Sequence, residues 1–282
     1  MFKLIESQMI APNIHLLTLE APAVAREMKP GQFVIVRAEN GGERIPLSLS
    51  DWDAEQGTVT VIVKNVGSTT DRLASLEAGV SIPTVVGPLG NPTEIEEFGT
   101  VLCLGGCYGI GSIFPIARAL KERKNKVIAV IEARSSYLLF WEEKLAEVSD
   151  ELIFITRDGT RGLRGHVGRV TEIIKSSEPV NRIIINGCTF LLKRGSDVSR
   201  PFGIKTIVSL NPIMIDGTGM CGVCRVTVGS TTKFACVHGP DFDGHQVNWA
   251  ELLQRRKTYM REEVIPLRTS RCEEHAVTMF RE

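Results

Sequence analysis

The stretch TVLCLGGCYGIGSIFPIARALKER, residues 100–123, combines a strand pattern, a glycine-rich turn and a helix pattern. Its first part, TVLCLGG, is an aliphatic run typical of a buried strand, and GSIFPIARALKER has the apolar spacing of an amphipathic helix. A backbone without side chains can approach a dinucleotide pyrophosphate closely, and the N-terminus of the helix favours that negative charge. Such a turn also serves simply to close a strand–helix corner. The glycines expected to contact the nucleotide are Gly105, Gly106 and Gly109.

The same alternation continues on the C-terminal side of this stretch. Two further helix patterns, LLFWEEKLAEV and VGRVTEIIKS, lie among four aliphatic runs: KVIAVIEA, ELIFIT, NRIIING and IKTIVSL. Strands that alternate with helices favour a mostly parallel sheet with helices on both faces. We therefore predict an NAD(P)-binding α/β domain over residues 98–209.

Three side chains in this domain are candidates for nucleotide contacts because they follow strands, where parallel sheets form their ligand crevice. Glu132 suits a ribose 2′-hydroxyl and thus NAD, whereas Arg134 suits a 2′-phosphate and thus NADP. The two cues conflict, so NAD(H) and NADP(H) both stay open as substrates. Cys188 ends the strand run NRIIING-C, and it is the candidate catalytic residue; a small buried thiol is the alternative.

The first hundred residues have a different rhythm. Short β-branched and aliphatic runs (NIHLLTLEAP, GQFVIVRAE, TVTVIVKNV and VSIPTVVG) are separated by Gly, Pro, Asn and Asp. A helical pattern interrupts them around TTDRLASLEAG. Strands at this spacing predict a small antiparallel β-barrel over residues 1–97.

The barrel region also contains residue types that a flavin requires. RIPLSLSD, residues 44–51, places an arginine suited to a diphosphate close to backbone and hydroxyl groups suited to the isoalloxazine ring. NVGSTTDRL offers hydroxyls and backbone N–H groups at a helix start, which suit a phosphate, and VGPLGNP is a tight turn joining the two halves. The candidate FAD-binding residues are Arg44, Pro46, Leu47, Ser48, Val63, Gly67, Ser68, Thr69, Thr70, Gly87 and Gly90.

Residues 210–250 contain three of the seven cysteines and form a candidate metal-binding segment. Asp216, Cys221, Cys224 and Cys236 follow the spacing D-x4-C-x2-C-x11-C, which becomes the plant-type 2Fe–2S loop when the aspartate is replaced by cysteine. A Cys3His zinc site using His238 is the competing interpretation. The preceding flavin and nucleotide motifs favour the 2Fe–2S cluster, because a redox centre has a use beside a flavin and zinc has none.

The composition narrows the class of protein. Lys plus Arg and Asp plus Glu balance at 33 each in 282 residues, which gives no reason to expect nucleic-acid binding or attraction to an anionic membrane. The longest uncharged run contains four glycines and a proline, so we expect no membrane insertion. We expect a cytoplasmic protein, since an odd number of cysteines with a C-x-x-C pair fits reduced thiols and a metal site.

The order Arg-x-Pro-x-Ser, Gly-x-Thr-Thr, Gly-Pro-x-Gly is similar to the pattern of the ferredoxin–NADP reductase superfamily. Within it the chain resembles two families: the electron-transfer subunit of dihydroorotate dehydrogenase and the small subunit of NADH-dependent ferredoxin:NADP oxidoreductase. The stretch PFGIKTIVSLNPIMIDGTGMCGVCRVTVG, residues 201–229, resembles the second family closely. One departure is Cys107, which replaces the third of three expected consecutive glycines.

The resemblance implies specific cofactors and a partner. It implies FAD in the barrel, a nicotinamide near Cys188, and a loop containing Asp158 beside the nucleotide. The first family usually offers four cysteines to its cluster, whereas the second offers three cysteines and one aspartate. The closer resemblance to the second family therefore implies a 2Fe–2S cluster held by Asp216 and three cysteines. The implied partner is a large flavin and iron–sulfur subunit related to the glutamate synthase small subunit, in an electron-bifurcating heterodimer.

The predicted function is therefore hydride exchange between NAD(H) or NADP(H) and FAD, followed by single-electron relay through a 2Fe–2S cluster to a partner subunit. The alternatives are the electron-transfer subunit of a dihydroorotate dehydrogenase and a zinc-stabilised nucleotide-binding module. The last stretch, residues 251–282, is predicted to be a helical tail.

Overall fold

The structure, a computed structural model, describes residues 1–176 and 178–258. Its N-terminal part is a seven-stranded sheet in which every neighbouring pair is antiparallel, in the order β6-β1-β2-β5-β4-β3-β7. The strands are β1 (Phe2–Ala11), β2 (Ile14–Glu20), β3 (Phe33–Arg37), β4 (Ile45–Asp53), β5 (Thr58–Lys64), β6 (Ser81–Ile82) and β7 (Thr84–Leu89). Two short helices accompany them, α1 (Pro22–Glu27) and α2 (Ser68–Ala74).

This sheet curls strongly because its two edges are joined by a single residue. Strand β6 pairs with β1 at one edge, β7 pairs with β3 at the other, and only Pro83 separates β6 from β7. The two edges therefore lie within one residue's reach of each other. The result is a curled half-barrel around a core that includes Leu17, Val34 and Val61, each at most 1% exposed.

The second sheet also has seven strands, and helices cover it. Six of its strands run parallel in the order β11-β10-β9-β8-β12-β13. They are β8 (Thr100–Gly106), β9 (Lys126–Ala133), β10 (Glu151–Thr156), β11 (Leu163–Arg164), β12 (Val180–Asn186) and β13 (Lys205–Ser209). The helices are α3 (Gly109–Glu122), α4 (Glu142–Glu147), α5 (Val170–Ser176) and α6 (Thr189–Ser199), with 3-10 turns at Ser136–Leu138, Val167–Arg169 and Arg200–Phe202.

Helices lie on both faces of this sheet, as the sequence pattern predicts. Successive residues of β8 alternate between two hydrophobic clusters: Val101 and Cys103 pack with Ile113 of α3, whereas Leu102 packs with Leu192 of α6. Alternation of this kind is what a strand buried on both faces requires. The parallel α/β architecture is thus confirmed.

The C-terminal part makes the sheet mixed. A hairpin, β14 (Arg225–Val228) and β15 (Thr231–Phe234), leads through the one-turn helix α7 (Ala235–His238) to β16 (Asp241–Asp243). Strand β16 pairs antiparallel with β13 and so forms the edge of the parallel sheet. Backbone hydrogen bonds between β16 and β13 therefore join the predicted segment 210–250 to the parallel sheet.

Helix α8 (Trp249–Arg256) ends the described chain. Residues 251–256 of the predicted helical tail lie in this helix, and residues 259–282, including Cys272, lie outside the described part. No helix within the described residues is long and apolar enough to cross a membrane.

Strand β1 and helix α6 are among the elements that the sequence prediction missed. Half of the residues of strand β1 are exposed and only Leu4 and Ala11 are buried, so the strand lacks a clear apolar face. Helix α6 buries small polar residues, Ser196 and Ser199, and these residues obscure its apolar period. In both cases the burial pattern comes from neighbouring elements rather than from local sequence.

Candidate functional site

A cavity of about 1420 Å³ lies where the half-barrel meets the carboxyl ends of the parallel strands. Residues from both sheets and from helix α8 line it. Ligand pockets in proteins usually measure about 300–1,000 Å³. The volume is therefore sufficient for a molecule of dinucleotide size.

The half-barrel contributes most of the residues predicted to bind FAD. The predicted residues that line this side of the cavity are Pro46, Leu47, Ser48, Val63, Gly67, Ser68, Thr69 and Thr70. They come from β4, from β5 and from the turn that starts α2. Three separate sequence motifs thus converge on one surface.

Two of the threonines on this surface already have intramolecular partners. The Thr70 hydroxyl oxygen accepts hydrogen bonds from the backbone N–H groups of Val66 and Gly67, both at 2.9 Å, and donates to the Gly67 carbonyl at 2.9 Å. Thr69 donates to the carboxylate of Glu43. The Thr70 hydroxyl therefore shapes the turn, and its role as a phosphate ligand stays a prediction.

The parallel sheet contributes Cys188, Tyr108 and Asn186 to the opposite wall. Cys188 directly follows Gly187 after β12, and its side chain is exposed to the cavity. Desolvation by the surrounding wall raises the pKa of this thiol, so it stays protonated at neutral pH. Cys188 thus lies where the sequence places it, as a neutral thiol rather than a thiolate nucleophile.

Asn186 has an unsatisfied polar atom at this wall. Its side-chain N–H donates to the Ser112 hydroxyl at 3.2 Å, whereas its buried Oδ1 has no hydrogen-bond partner among the described residues. Buried polar atoms in proteins are nearly always paired, with protein, water or ligand. Asn186 was missed from sequence because an asparagine that ends a strand usually indicates only a turn.

The predicted glycines of the glycine turn, residues 105–111, do not line the cavity themselves; Cys107 and Tyr108 do. A Cβ on Gly109 would lie 2.1 Å from the carbonyl oxygen of Asn186, and one on Gly106 would lie 2.7 Å from Leu191. Their small size lets the turn pack against β12 and α6. Contact between these glycines and a pyrophosphate stays a prediction.

Glu132, near the end of β9, and Arg134 and Asp158, which follow β9 and β10, also lie away from the cavity lining. The side chain of Glu132 is 7% exposed, and burial raises the pKa of its carboxyl to about 7. Arg134 is exposed, and Asp158 accepts hydrogen bonds from the backbone N–H of Thr160 at 3.0 Å and its hydroxyl at 2.7 Å. The Thr160 backbone N–H lowers the pKa of Asp158. Asp158 thus holds its own loop, and the nucleotide roles of all three residues stay predictions.

Gly87 and Gly90 pack inside the protein. A Cβ on Gly87 would lie 2.7 Å from Val34, and a Cβ on Gly90 would lie 2.8 Å from Pro240. The N–H of Asn91, the next residue, donates to the Gly239 carbonyl at 2.6 Å. The turn at residues 87–91 therefore connects the half-barrel to the candidate metal-binding segment, residues 210–250. Its contact with a flavin stays a prediction.

Arg44 lies outside the cavity lining and contacts the candidate metal-binding segment, residues 210–250, instead. Its Nε donates to the carbonyl of Ile215 at 3.1 Å and its Nη2 to the carbonyl of Asp216 at 3.2 Å. Two donors of one guanidinium thus hold consecutive carbonyls in a fixed geometry. The flavin-diphosphate role predicted for Arg44 stays untested, and in this structure its partners are these two carbonyls.

The cysteine loop, residues 216–224, brings together part of the predicted ligand set. Cys224 and Cys236 are buried, and their sulfur atoms lie 3.2 Å apart. The Asp216 carboxylate accepts hydrogen bonds from the backbone N–H groups of Thr218 at 2.9 Å and Cys221 at 2.7 Å, and the first of these bonds contributes most to lowering its pKa. Cys221 is exposed. Within the described residues no three His, Cys, Asp or Glu side chains form a group that could hold a metal ion.

His238, the competing ligand, makes its contacts with Phe234. Its Nδ1 accepts a hydrogen bond from the backbone N–H of Phe234 at 3.0 Å, and its ring stacks on Phe234 with centroids 5.9 Å apart. One ring nitrogen is therefore occupied by the end of β15. The contacts of Asp216 lie inside the cysteine loop, and those of His238 lie outside it.

A curled antiparallel sheet that shares one cavity with a parallel α/β sheet defines the class of ferredoxin reductase-like oxidoreductases. Residues 211–248 match the family model described as the iron-sulfur cluster binding domain of dihydroorotate dehydrogenase B. The chain is 43% identical over 263 residues to a dihydroorotate dehydrogenase B (NAD(+)) electron transfer subunit homolog from Thermotoga maritima, with 93% of each protein covered. It belongs to the family of dihydroorotate dehydrogenase B electron transfer subunits and their homologues.

Two further comparisons agree. The electron transfer subunit of Bacillus cereus strain G9842 is 31% identical over 244 residues, which cover 83% of this chain and 92% of that one. A solved structure of the NADH-dependent reduced ferredoxin-NADP oxidoreductase, determined for insights into flavin-based electron bifurcation, contains a chain that matches with a TM-score of 0.90. That match has 42% identity and covers 94% of this chain and 95% of that chain. The chain is thus homologous to oxidoreductase subunits, and both resemblances seen in the sequence are confirmed.

Proposed function

We propose that this chain is the electron-transfer subunit of an NADH-dependent ferredoxin:NADP oxidoreductase-type complex. It would exchange electrons with a pyridine nucleotide at FAD and relay them singly through a 2Fe–2S cluster to a larger partner subunit. The observation that carries the proposal is the cavity that both sheets share, with Ser48 and Cys188 on its lining. FAD, when bound, supplies two-electron hydride exchange and one-electron release, and a 2Fe–2S cluster supplies one-electron transfer.

The residues of the half-barrel wall would hold the flavin. The cavity is large enough, and on its opposite wall the buried Oδ1 of Asn186 has no partner among the described residues. Pro46, Leu47 and Ser48 present a mixed apolar and hydroxyl surface, which suits a ring system with polar edges. On the opposite wall, Cys188 would pack against the nicotinamide, and as a neutral thiol it would be a poor nucleophile toward the ring.

Asp216, Cys221, Cys224 and Cys236 would hold the cluster. The pair of buried sulfurs supplies two soft ligands, and a carboxylate is a harder ligand that still binds iron. The backbone N–H groups of Thr218 and Cys221 donate to the Asp216 carboxylate and hold it within the loop. Cys221 lies at the surface, on the side from which a partner subunit could approach.

The partner we propose is a large flavin and iron–sulfur subunit related to the glutamate synthase small subunit. The high similarity to a chain of the NADH-dependent reduced ferredoxin-NADP oxidoreductase supports this choice, with 42% identity over 94% of the chain. Bifurcation itself would require that partner.

Anaerobic purification followed by a visible spectrum and metal analysis tests the proposal. We expect flavin absorption together with about two iron atoms per chain, the content of a 2Fe–2S cluster. Addition of NADH should bleach the flavin band. A colourless protein with one zinc per chain would refute the proposal in favour of a zinc-stabilised module.

Asp216 can be tested separately by Asp216→Cys and Asp216→Ala. Exchange of a carboxylate for a thiolate changes the electronic structure of the reduced cluster, so the EPR spectrum should differ in both variants. Spectra identical to wild type in both would exclude Asp216 as a ligand. His238→Ala is the matched control, and it should leave the spectrum unchanged.

A dihydroorotate dehydrogenase electron-transfer subunit is the second candidate, favoured by the names of the relatives from Thermotoga maritima and Bacillus cereus. Its partner would be an FMN-containing barrel. Isolation of the native complex decides between the two, because the partner chains differ in cofactor content: FMN alone in one case, flavin with additional iron–sulfur clusters in the other.

A further inference from the structure

Helix α8 is firmly anchored at its N-terminal half. Trp249 and Leu252 are buried, with 7% and 2% exposure, in the same hydrophobic cluster as the parallel sheet. The indole N–H of Trp249 donates to the Gly244 carbonyl at 2.9 Å, and Asn248 caps the helix by accepting from the N–H of Glu251 at 3.1 Å. A helix fixed in this way holds the side chains of its last turn at defined positions.

Two consecutive arginines of that last turn reach two different sites. Neighbouring residues on an α-helix are separated by about 100° around the axis. Arg255 donates from Nη2 to the carbonyl of Val223, inside the cysteine loop, at 3.0 Å. Arg256 donates from Nη1 to the backbone carbonyl of Asn211 at 2.8 Å and to its side-chain Oδ1 at 2.7 Å.

Asn211 connects Arg256 to the cavity wall that the parallel sheet contributes, where Cys188 lies. Because its Oδ1 accepts from Arg256, and also from the Thr189 hydroxyl at 3.0 Å, its amide N–H group faces the other way. This amide donates to the hydroxyl of Tyr108 and to the Gly187 carbonyl at 3.2 Å. The Tyr108 hydroxyl donates to the same Gly187 carbonyl at 2.9 Å.

The network therefore joins the ends of three adjacent strands, β8, β12 and β13, at the place where Cys188 faces the cavity. The peptide that links Gly187 to Cys188 is held through its carbonyl by two donors. Movement of Asn211 would release one of them and would let Cys188 shift. Tyr108, Asn211 and Arg256 also line the cavity, so this network is part of its wall.

We propose that Arg255 and Arg256 are paired positioning residues, Arg255 for the cysteine loop and Arg256 for the nicotinamide side of the cavity. One helix then fixes the placement of both sites relative to each other. Neither arginine needs to touch the substrate, since each acts through carbonyl groups that it holds. This inference rests on the proposed function, because it assigns the two sites to a cluster and a pyridine nucleotide.

Arg256→Gln in the full-length, cofactor-loaded chain tests the nucleotide half. Loss of a charge-assisted hydrogen bond to Asn211 should raise KM for NADH about tenfold, with ferricyanide as electron acceptor. The iron content and the EPR spectrum of the reduced protein should stay as in wild type. Arg256→Lys retains the charge but not the planar fork, so it should give an intermediate KM.

Arg255→Gln tests the role proposed for Arg255 at the cysteine loop. It should alter the cluster more than the KM for NADH. Release of the Val223 carbonyl loosens the cysteine loop, so the EPR spectrum of the reduced protein should broaden or shift, and iron should be lost faster to a chelator. Its KM for NADH should rise less than that of Arg256→Gln. Gln254→Ala, an exposed position on the same helix, is the matched control and should leave both measurements unchanged.

Two results would overturn the inference. One is an unchanged KM in Arg256→Gln; the other is the same loss of both properties in both arginine variants, which would indicate a merely structural helix. A wild-type chain without flavin or iron would instead refute the proposed function. The two failures are therefore distinguishable by the wild-type measurement alone.

Discussion

The glycine turn and the cysteine loop are both rich in glycine, but they depend on it for different physical reasons. In the glycine turn Gly109 has a close neighbour, since an added Cβ would lie 2.1 Å from a backbone carbonyl oxygen. In the cysteine loop Gly222 has a φ of 67°, and the nearest atom to an added Cβ, on Phe234, is 3.8 Å away. The first position lacks space for a side chain, whereas the second requires a left-handed backbone.

This difference shows that a glycine motif in a sequence does not by itself indicate a ligand. The glycine turn is glycine-rich because it packs against β12, and the cysteine loop because it winds tightly around Asp216. Variants that separate crowding from backbone strain should therefore have different effects in the two regions.

Gly109→Ala should have the largest effect. The clash is with the backbone of Asn186, which cannot move without breaking the parallel sheet, so we expect a loss of more than about 3 kcal/mol in the free energy of unfolding. Urea unfolding of the cofactor-free chain measures it. Gly67→Ala is the matched control, because no atom lies within 4 Å of an added Cβ there and its backbone is extended. Equal midpoints for the two variants would contradict the crowding explanation.

Glu132→Gln should have the next largest effect, because it removes a buried carboxyl group whose ionisation destabilises the folded protein. Burial raises the folded-state pKa of Glu132 to about 7 from a usual 4.5, so the folded protein retains a proton that the unfolded chain releases as the pH rises. The loss of stability that Glu132 causes in wild type is absent below pH 4.5, grows toward pH 7 and is complete above it. The free energy of unfolding of the variant should therefore exceed that of wild type by about 3 kcal/mol at pH 8 and by little at pH 4.5.

Unfolding curves of both proteins at several pH values provide the measurement. Arg157, whose Nε lies 4.0 Å from the Glu132 carboxylate, opposes the shift, and Arg157→Gln should therefore enlarge the pH dependence of wild type. A stability difference that does not change with pH would show that Glu132 is ionised in the folded state.

Gly222→Ala should cost less, about 1 to 2 kcal/mol, because only backbone strain opposes it. Gly222→Asn should cost about half as much, since asparagine adopts the left-handed region more readily. The thermal midpoints of the two variants check this order. Equal midpoints would mean that the loop does not need its left-handed turn.

Cys107→Gly should have the smallest effect and the opposite sign. Cys107 has a φ of 58°, so glycine would relieve strain of about 1 to 2 kcal/mol. Part of this gain is offset because glycine makes the unfolded chain more flexible, which leaves a net gain of about 0.5 kcal/mol. Cys107→Ser retains the strained backbone and should show no gain in thermal midpoint.

Much of the fold could be predicted from the sequence because its signals are local. The parallel strands consist of continuous aliphatic runs, and the turn after β8 has the glycines that a tight strand–helix connection needs. Strand β1 could not be predicted in this way, because its exposed residues lack a period and its partners β2 and β6 define it.

The site is a harder case, because its contacts join distant parts of the chain. The predicted flavin residues Ser48 and Thr70 do line the cavity. Arg44, in contrast, contacts carbonyls 171 and 172 residues away, and Arg256 contacts Asn211 across 45. Sequence spacing contains no signal for such pairs. Arginines that hold backbone carbonyls look the same in a sequence as arginines that hold phosphates.

Strand β16 protects one edge of the parallel sheet. It covers the free edge of β13, pairing Ile207 with Asp243 and Ser209 with Asp241. An uncovered strand edge offers unpaired N–H and C=O groups to any other chain, and such edges are common starting points for aggregation. A chain shortened to residue 210 would therefore lose more than its candidate metal-binding segment, because it would also expose the unpaired edge of β13, and we expect it to aggregate.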